Sequence, residues 1–210
     1  MAKLISIFIS FLFVFSVFAQ KAVVISDCTV LYSITGSDAG TNSNLSGASK
    51  QYYIKGKMAR TDIAGQGYKQ TVIVDNSNGT AVILKEIGAE KYKSTLNAEE
   101  WKQENKRFEN MTLSPGKESK TILGYTCQKA TATLKDGGTY TIYYAPAVIP
   151  SANENAFQFK DVPGLILEYE TVSSNGISKI TYTAYQVDFN PVPALKFQIP
   201  TAGYRIWKQQ

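Results

Sequence analysis

Along most of this chain apolar and polar residues alternate with a period of two, in runs of five to ten residues bounded by Gly, Asn, Asp and Pro. That is the pattern of half-buried β-strands joined by tight turns. Ala22–Ile25 and Thr29–Ile34 read as a first long strand. Residues 36–49, almost all Gly, Ser, Asn, Thr and Ala, read as a flexible loop. Gln51–Ile54 and Met58–Ile63 form a hairpin about Lys55-Gly56-Lys57, and Tyr68–Val74 and Thr80–Ile87 form a second one about 75–79, whose Asn-Gly suits left-handed turn geometry. Lys91–Leu96 adds a short strand. Thr121–Leu134 and Thr139–Tyr144 flank the turn Lys135-Asp136-Gly137-Gly138. Residues 145–156 read as irregular, and Asn175-Gly176 turns Leu165–Val172 back onto Ile177–Phe189. Pro191, Pro193 and Pro200 break up the tail before a short piece at Tyr204–Trp207.

The period changes once. Asn97-Ala98-Glu99-Glu100 places an N-cap residue three positions before a glutamate, the pattern of a capping box. The helix it starts is expected to run to about Asn110, with Trp101 and Phe108 on one face, seven residues apart. Many short strands with a single helix predict one mostly antiparallel sheet packed on that helix.

The stretch 157–170 organises the carboxyl-terminal half. Val162-Pro163-Gly164-Leu165 suits a type II turn, with Pro163 fixing φ and Gly164 accepting a positive one. Leu165-Ile166-Leu167-Glu168-Tyr169 then enters a core. The run Val162 to Glu168 resembles the signature of the GLPGLI family of secreted Bacteroidetes proteins, with Val162 in place of the usual Leu. Tyr125 to Ala132, with its Cys-Gln-Lys-Ala run, and Tyr143-Tyr144-Ala145-Pro146 followed by Ile149-Pro150 are similar to the segments that precede that signature. Tyr52 to Arg60 resembles the early strands of periplasmic proteins related to the lipoprotein carrier LolA, including the DUF4412 group. The resemblance implies a curved antiparallel sheet, a half-barrel, partly wrapped around helix.

Met1-Ala2-Lys3 followed by an apolar run from Leu4 to Phe18, interrupted only by serines, reads as a signal peptide cleaved after Ala19. The run is shorter than a membrane span requires, so residues 20–210 are expected to form one exported domain, periplasmic or secreted. The formal net charge is +5, but the basic residues are scattered, and a nucleic-acid footprint would gather them on one face. Cys28 and Cys127 are the only cysteines. In an oxidising compartment an even pair reads as a disulfide, with two buried thiols as the alternative.

The chain has no histidine. That removes Ser-His and Cys-His nucleophilic pairs and the commonest transition-metal ligand. Two cysteines cannot build a four-cysteine zinc site, and residues 36–47 lack the ending of a phosphate-binding P-loop. No cofactor or metal is therefore expected. Carboxylate chemistry stays open, with Glu99 and Glu100 or Glu168 and Glu170 as candidates, but a hydrolase would need two of them facing across a cleft.

The surplus is aromatic: thirteen tyrosines, ten phenylalanines and two tryptophans. A curved sheet carrying such rings suits a non-enzymatic binder of a lipid or other apolar ligand. Its hollow face is expected to be lined by Ile54, Val82, Leu84, Ile142, Tyr144, Leu165, Leu167 and Tyr182, with residues 145–159 and 97–110 covering the opening. Two other readings remain: an envelope interaction protein using a sheet edge or an exposed aromatic patch at Phe157 and Phe159, and a hydrolase working with carboxylates alone.

Overall fold

The computed structural model describes residues 21–172 and 178–207. The predicted signal peptide and the Asn175-Gly176 turn lie outside the described residues. Strands β1 (Val23–Ile25) and β2 (Asp27–Gly36) come first, then helix α1 (Ala39–Asn44), then β3 (Ser49–Lys55), β4 (Met58–Gly65), β5 (Tyr68–Asp75), β6 (Thr80–Ile87) and β7 (Glu90–Leu96). Helix α2 (Ala98–Glu104) and a 3-10 turn at Lys106–Phe108 follow. The second half contains β8 (Thr112–Ile122), β9 (Tyr125–Thr133), β10 (Thr139–Ala145), β11 (Val148–Pro150), β12 (Leu165–Val172), β13 (Lys179–Asp188), a 3-10 turn at Ala194–Phe197 and β14 (Arg205–Ile206).

Twelve strands make one curved sheet in the order β14-β7-β6-β5-β4-β3-β2-β13-β12-β10-β9-β8. Every pairing in it is antiparallel except β14 with β7. β1 and β11 form a separate parallel ribbon. The sheet is not closed into a barrel. Edge strand β8 carries Pro115, which has no N–H to leave unpaired, in an irregular stretch opposite β9. Among the described residues no helix is long and apolar enough to cross a membrane.

The capping box forms: the Asn97 side chain accepts from Glu100 N, and Glu100 Oε2 accepts from Asn97 N. The helix stops six residues short of Asn110. Asn105 leaves helical geometry at φ −99°, and its side chain donates to Trp101 O at 2.8 Å. The break separates the two rings expected on one face. Trp101 enters one buried cluster, and Phe108 packs against another. Other local expectations are corrected as well. Residues 36–49 contain α1, opened by Asp38 Oδ1 accepting from Thr41 N. The long first strand divides at Ser26, where β1 leaves to pair with β11 inside the segment read as irregular. The strand expected from Thr121 to Leu134 is a hairpin turned at Leu123 and Gly124, both at positive φ.

The expected disulfide is absent. Cys28 and Cys127 are free thiols, both fully buried. They sit on β2 and β9, which are not neighbours in the sheet order, and both belong to the first buried cluster. Burial, and secondly the charge of Asp188, push the Cys28 thiol up to about 12, and burial raises Cys127. Both thiols are therefore expected to resist a thiol reagent in the folded protein and to react together in denaturant, with the melting temperature unchanged by reductant. A melting temperature lowered by reductant would restore the bridge.

Two clusters fill the interior. The first includes Cys28, Val30, Tyr52, Ile54, Val74, Ile83, Leu96, Trp101, Leu165 and Leu167. The second includes Ala130, Ala132, Tyr140, Ile142, Tyr144, Phe159, Ile166 and Tyr169. The opposite face of β3–β7 is covered by the carboxyl-terminal tail: Arg60 donates to Lys196 O, Lys196 Nζ to Tyr53 Oη, and Lys93 Nζ to Pro200 O.

Candidate functional site

Strand alternation decides which side chains of β3 point inward. Tyr52 and Ile54 are core residues, so Lys50 shares their face. Its neighbours across the ladder are Tyr32 on β2 and Ile63 on β4. The Lys50 side chain is 0% exposed. Its Nζ donates to Glu154 Oε2 and to Tyr169 Oη, each at 2.6 Å. It also lies 4.5 Å from the centroid of the Tyr32 ring, 4.4 Å from Tyr169 and 5.0 Å from Tyr182. Tyr169 and Tyr182, paired across β12 and β13, stack at 4.7 Å, and Phe159 meets Tyr169 edge-on at 5.1 Å. The lysine is thus a cation in an aromatic cage with one carboxylate as its counter-ion.

Desolvation dominates the titration of this centre. Burial lowers the Lys50 ammonium, and the charge of Glu154 and its hydrogen bond oppose that shift. Burial first, and Glu154 second, push Tyr32, Tyr52 and Tyr169 well above the ordinary tyrosine range, and Tyr182 up to about 12. All four phenols stay protonated over the physiological range, with Tyr32 donating to Ile166 O, Tyr52 to Ala152 O, and Tyr169 accepting from Lys50.

Glu154 comes from the segment 151–163, which lies over the hollow face. Tyr52 Oη donates to Ala152 O at 2.7 Å, Ser151 Oγ to Gly56 O at 2.5 Å, and Asn155 Nδ2 to Asn105 Oδ1 at 2.7 Å. The last bond ties the segment to the end of α2. Phe159 and Val162 are buried, and Phe157 meets Trp101 edge-on at 6.4 Å. The expected exposed patch at Phe157 and Phe159 does not form: Phe159 is buried and Phe157 is half-buried. These rings help to fill the concavity.

An opening lies between α2, this segment and β4–β6. It is a cleft of about 230 Å³ with Ile63, Val72 and Ile83 on the sheet side, Trp101 on the helix side, and Glu104 and Glu154 among its polar lining. Trp101 is buried, and its enclosed indole Nε1–H has no hydrogen-bond partner among the described residues. A second space of about 10 Å³ lies deeper, bordered by Tyr32, Tyr52, Leu165 and Ile166, with Glu154 again in its wall.

The eight residues expected to line one hollow do not meet in one place. Ile54, Leu165 and Leu167 belong to the first cluster, and Ile142 and Tyr144 to the second. Tyr182 is half-buried and packs against both. A bulge is the reason: between Tyr143 and Tyr144 the partner on β12 jumps from Glu168 to Ile166, so the two halves of β12 present opposite parities. Val82 and Leu84 are buried on the face of β6 opposite Ala81 and Ile83, with Val82 paired to Ile73 and Leu84 to Thr71 and Lys93. A continuous run of apolar residues, Ala81-Val82-Ile83-Leu84, gave no parity to read.

The carboxylate candidates also serve structure. Glu100 caps α2. Glu168 accepts from Lys120 Nζ at 2.5 Å and from Thr183, and Glu170 from Lys179 at 3.2 Å. Lys50, Glu104 and Glu154 escaped notice in the sequence. The signal for Lys50 was its parity with Tyr52 and Ile54; Glu154, 104 residues away, carried none.

No family model matches the chain, and no curated protein matches it. The GLPGLI and DUF4412 resemblance thus stands on the quoted motifs alone. Solved structures do resemble it. PNGF-II is 14% identical with a TM-score of 0.50, the match covering 86% of this chain but only 30% of PNGF-II. An uncharacterised conserved protein from Thermus thermophilus is 7% identical, with a TM-score of 0.48 over 88% of this chain and 91% of that one. A putative outer membrane lipoprotein-sorting protein domain from Vibrio parahaemolyticus is 10% identical, with a TM-score of 0.23 over 82% and 89%. At 14% identity the likeness to PNGF-II concerns the fold alone, and this chain spans less than a third of that protein's length.

Proposed function

We propose that this chain is an exported, non-enzymatic binding protein that holds the apolar part of an amphiphilic ligand in the cleft between α2 and β4–β6. The observation that carries this reading is the lining of the cleft: Ile63, Val72 and Ile83 on the sheet side face the Trp101 ring on the helix side, with Thr61, Gln70, Glu104 and Gln158 among the polar groups around them. At about 230 Å³ the cleft is smaller than the roughly 300–1,000 Å³ typical of drug-sized ligands. It suits one short aliphatic chain or the end of a longer one, not a whole diacyl lipid. Trp101 supplies the test. In a Trp207→Phe protein it is the sole indole, and octanol is expected to shift its emission saturably; a flat titration would count against the reading.

The β1–β11 ribbon supports a second reading. Val23 and Val24 are 60% and 69% exposed, and Ile149, opposite Val24, is 39% exposed. This apolar strip suits an interaction with another envelope component. Saturable octanol binding in the cleft distinguishes the first reading from it.

A further inference from the structure

We propose that Lys50 is the subsite for the ligand's head group, a carboxylate on an aliphatic chain, and that Glu154 occupies this subsite as an internal stand-in which the ligand displaces. The inference rests on the cleft being the binding site and names the chemical class it takes.

Three observations carry it. Lys50 is the charged residue fully buried among the described residues, and what neutralises it is a single carboxylate oxygen, Oε2 of Glu154. A buried ion pair of this kind adds little stability over an apolar pair of the same volume, so its presence calls for another role. Second, Glu154 borders both the open cleft and the small space behind it. Lys50 borders neither space, but the carboxylate that lines both accepts from its Nζ at 2.6 Å, so Glu154 is the link between the cleft and the caged ammonium. Third, Glu154 sits between anchors at Ser151 and Phe159, on a stretch held to the rest of the protein mainly through side chains. Its backbone hydrogen bonds at Phe159 N to Asn155 O and Val162 N to Phe159 O run within the segment, and the Asn155 side chain accepts from Phe157 N and Gln158 N. The contacts from Ala152 and Asn155 to the rest of the protein pass through side chains, Tyr52 and Asn105.

A ligand carboxylate entering from the cleft would replace Glu154 at Lys50 Nζ, with Tyr169 Oη beside it as a second donor. The Tyr32, Tyr169 and Tyr182 rings would stay around the cation. The charge decides for a carboxylate over a phosphate monoester: one cation balances one negative charge, and a dianion would leave a second charge buried without a partner. Glu154, once released, reaches solvent through the cleft it already lines.

The experiment compares octanoate with octanol, by titration calorimetry, on the full mature chain. Glu154→Gln removes the competing charge and keeps a hydrogen-bond acceptor for Lys50. It is expected to tighten octanoate by about tenfold, the scale of one charge-assisted hydrogen bond, while octanol stays within about twofold. In the Lys50→Met, Glu154→Leu protein, an apolar pair that keeps the packing, octanoate is expected to fall to the level of octanol. Equal binding of octanoate and octanol in the wild type and in Glu154→Gln would overturn the carboxylate subsite and leave the cleft reading standing. Failure of both probes to bind any of the three folded proteins would overturn both.

Discussion

Replacing Gly164 by alanine is expected to cost more than about 3 kcal/mol, the range in which core overpacking is severe. A Cβ at this position would lie 2.4 Å from the Ala145 carbonyl oxygen, 2.8 Å from its carbon and 2.9 Å from a ring carbon of Tyr144. Two of those atoms are backbone and cannot swing aside. Gly164 immediately precedes β12, whose first pair is Leu165 with Ala145. Both residues of that pair are fully buried. Relief of the clash would have to lift the start of β12 from β10 and open the first cluster beneath Leu165. Urea denaturation measures the effect as a lower midpoint with an unchanged slope. A loss below about 1 kcal/mol would show that the contact is not as rigid as the geometry implies.

The expected reason for this glycine was different. Its place after Pro163 suggested a type II turn with positive φ, yet Gly164 is not among the glycines at positive φ. What excludes a side chain is the close approach of a neighbouring strand. Either cause puts glycine after proline, and only the tertiary contact separates them.

Lys50→Met alone is the second large expected effect, about 3 kcal/mol of destabilisation. The substitution removes the cation and leaves the Glu154 carboxylate, only 15% exposed, without its partner and close enough to Tyr32, Tyr52, Tyr169 and Tyr182 to raise their titration. Adding Glu154→Leu should restore most of the loss, because the pair's worth lies in mutual compensation. Thermal unfolding of the single and double variants measures the coupling. If the single variant is as stable as the wild type, or the second substitution adds to the loss, the pair is not the electrostatic centre described here.

Much of the sheet was legible because its strands obey local rules. The hairpins about Gly56 and Gly79 formed where glycine follows polar turn residues, and both glycines have positive φ. The capping box at Asn97 and Glu100 is a contact between residues three apart, visible in four letters of sequence. The division of the lining residues was not legible. It depends on a bulge opposite Glu168 and on a carboxyl-terminal tail that makes the far face of β6 a second interior. The lysine centre was hidden for the same reason. Lys50, Glu154, Tyr169 and Tyr182 are brought together by pairing across residues far apart in the chain. Loss of the helix after Asn105 likewise follows from a side-chain bond back to Trp101, which no propensity scale foretells.

The account depends most on the cleft beside Trp101 being a binding site. Its sharpest test is the emission of that indole in a Trp207→Phe protein titrated with octanol. A saturable shift, lost when Ile83 on the cleft floor is replaced by aspartate in a protein that still folds, is the predicted result. An emission spectrum that ignores octanol, while the same protein binds octanol elsewhere, would contradict it.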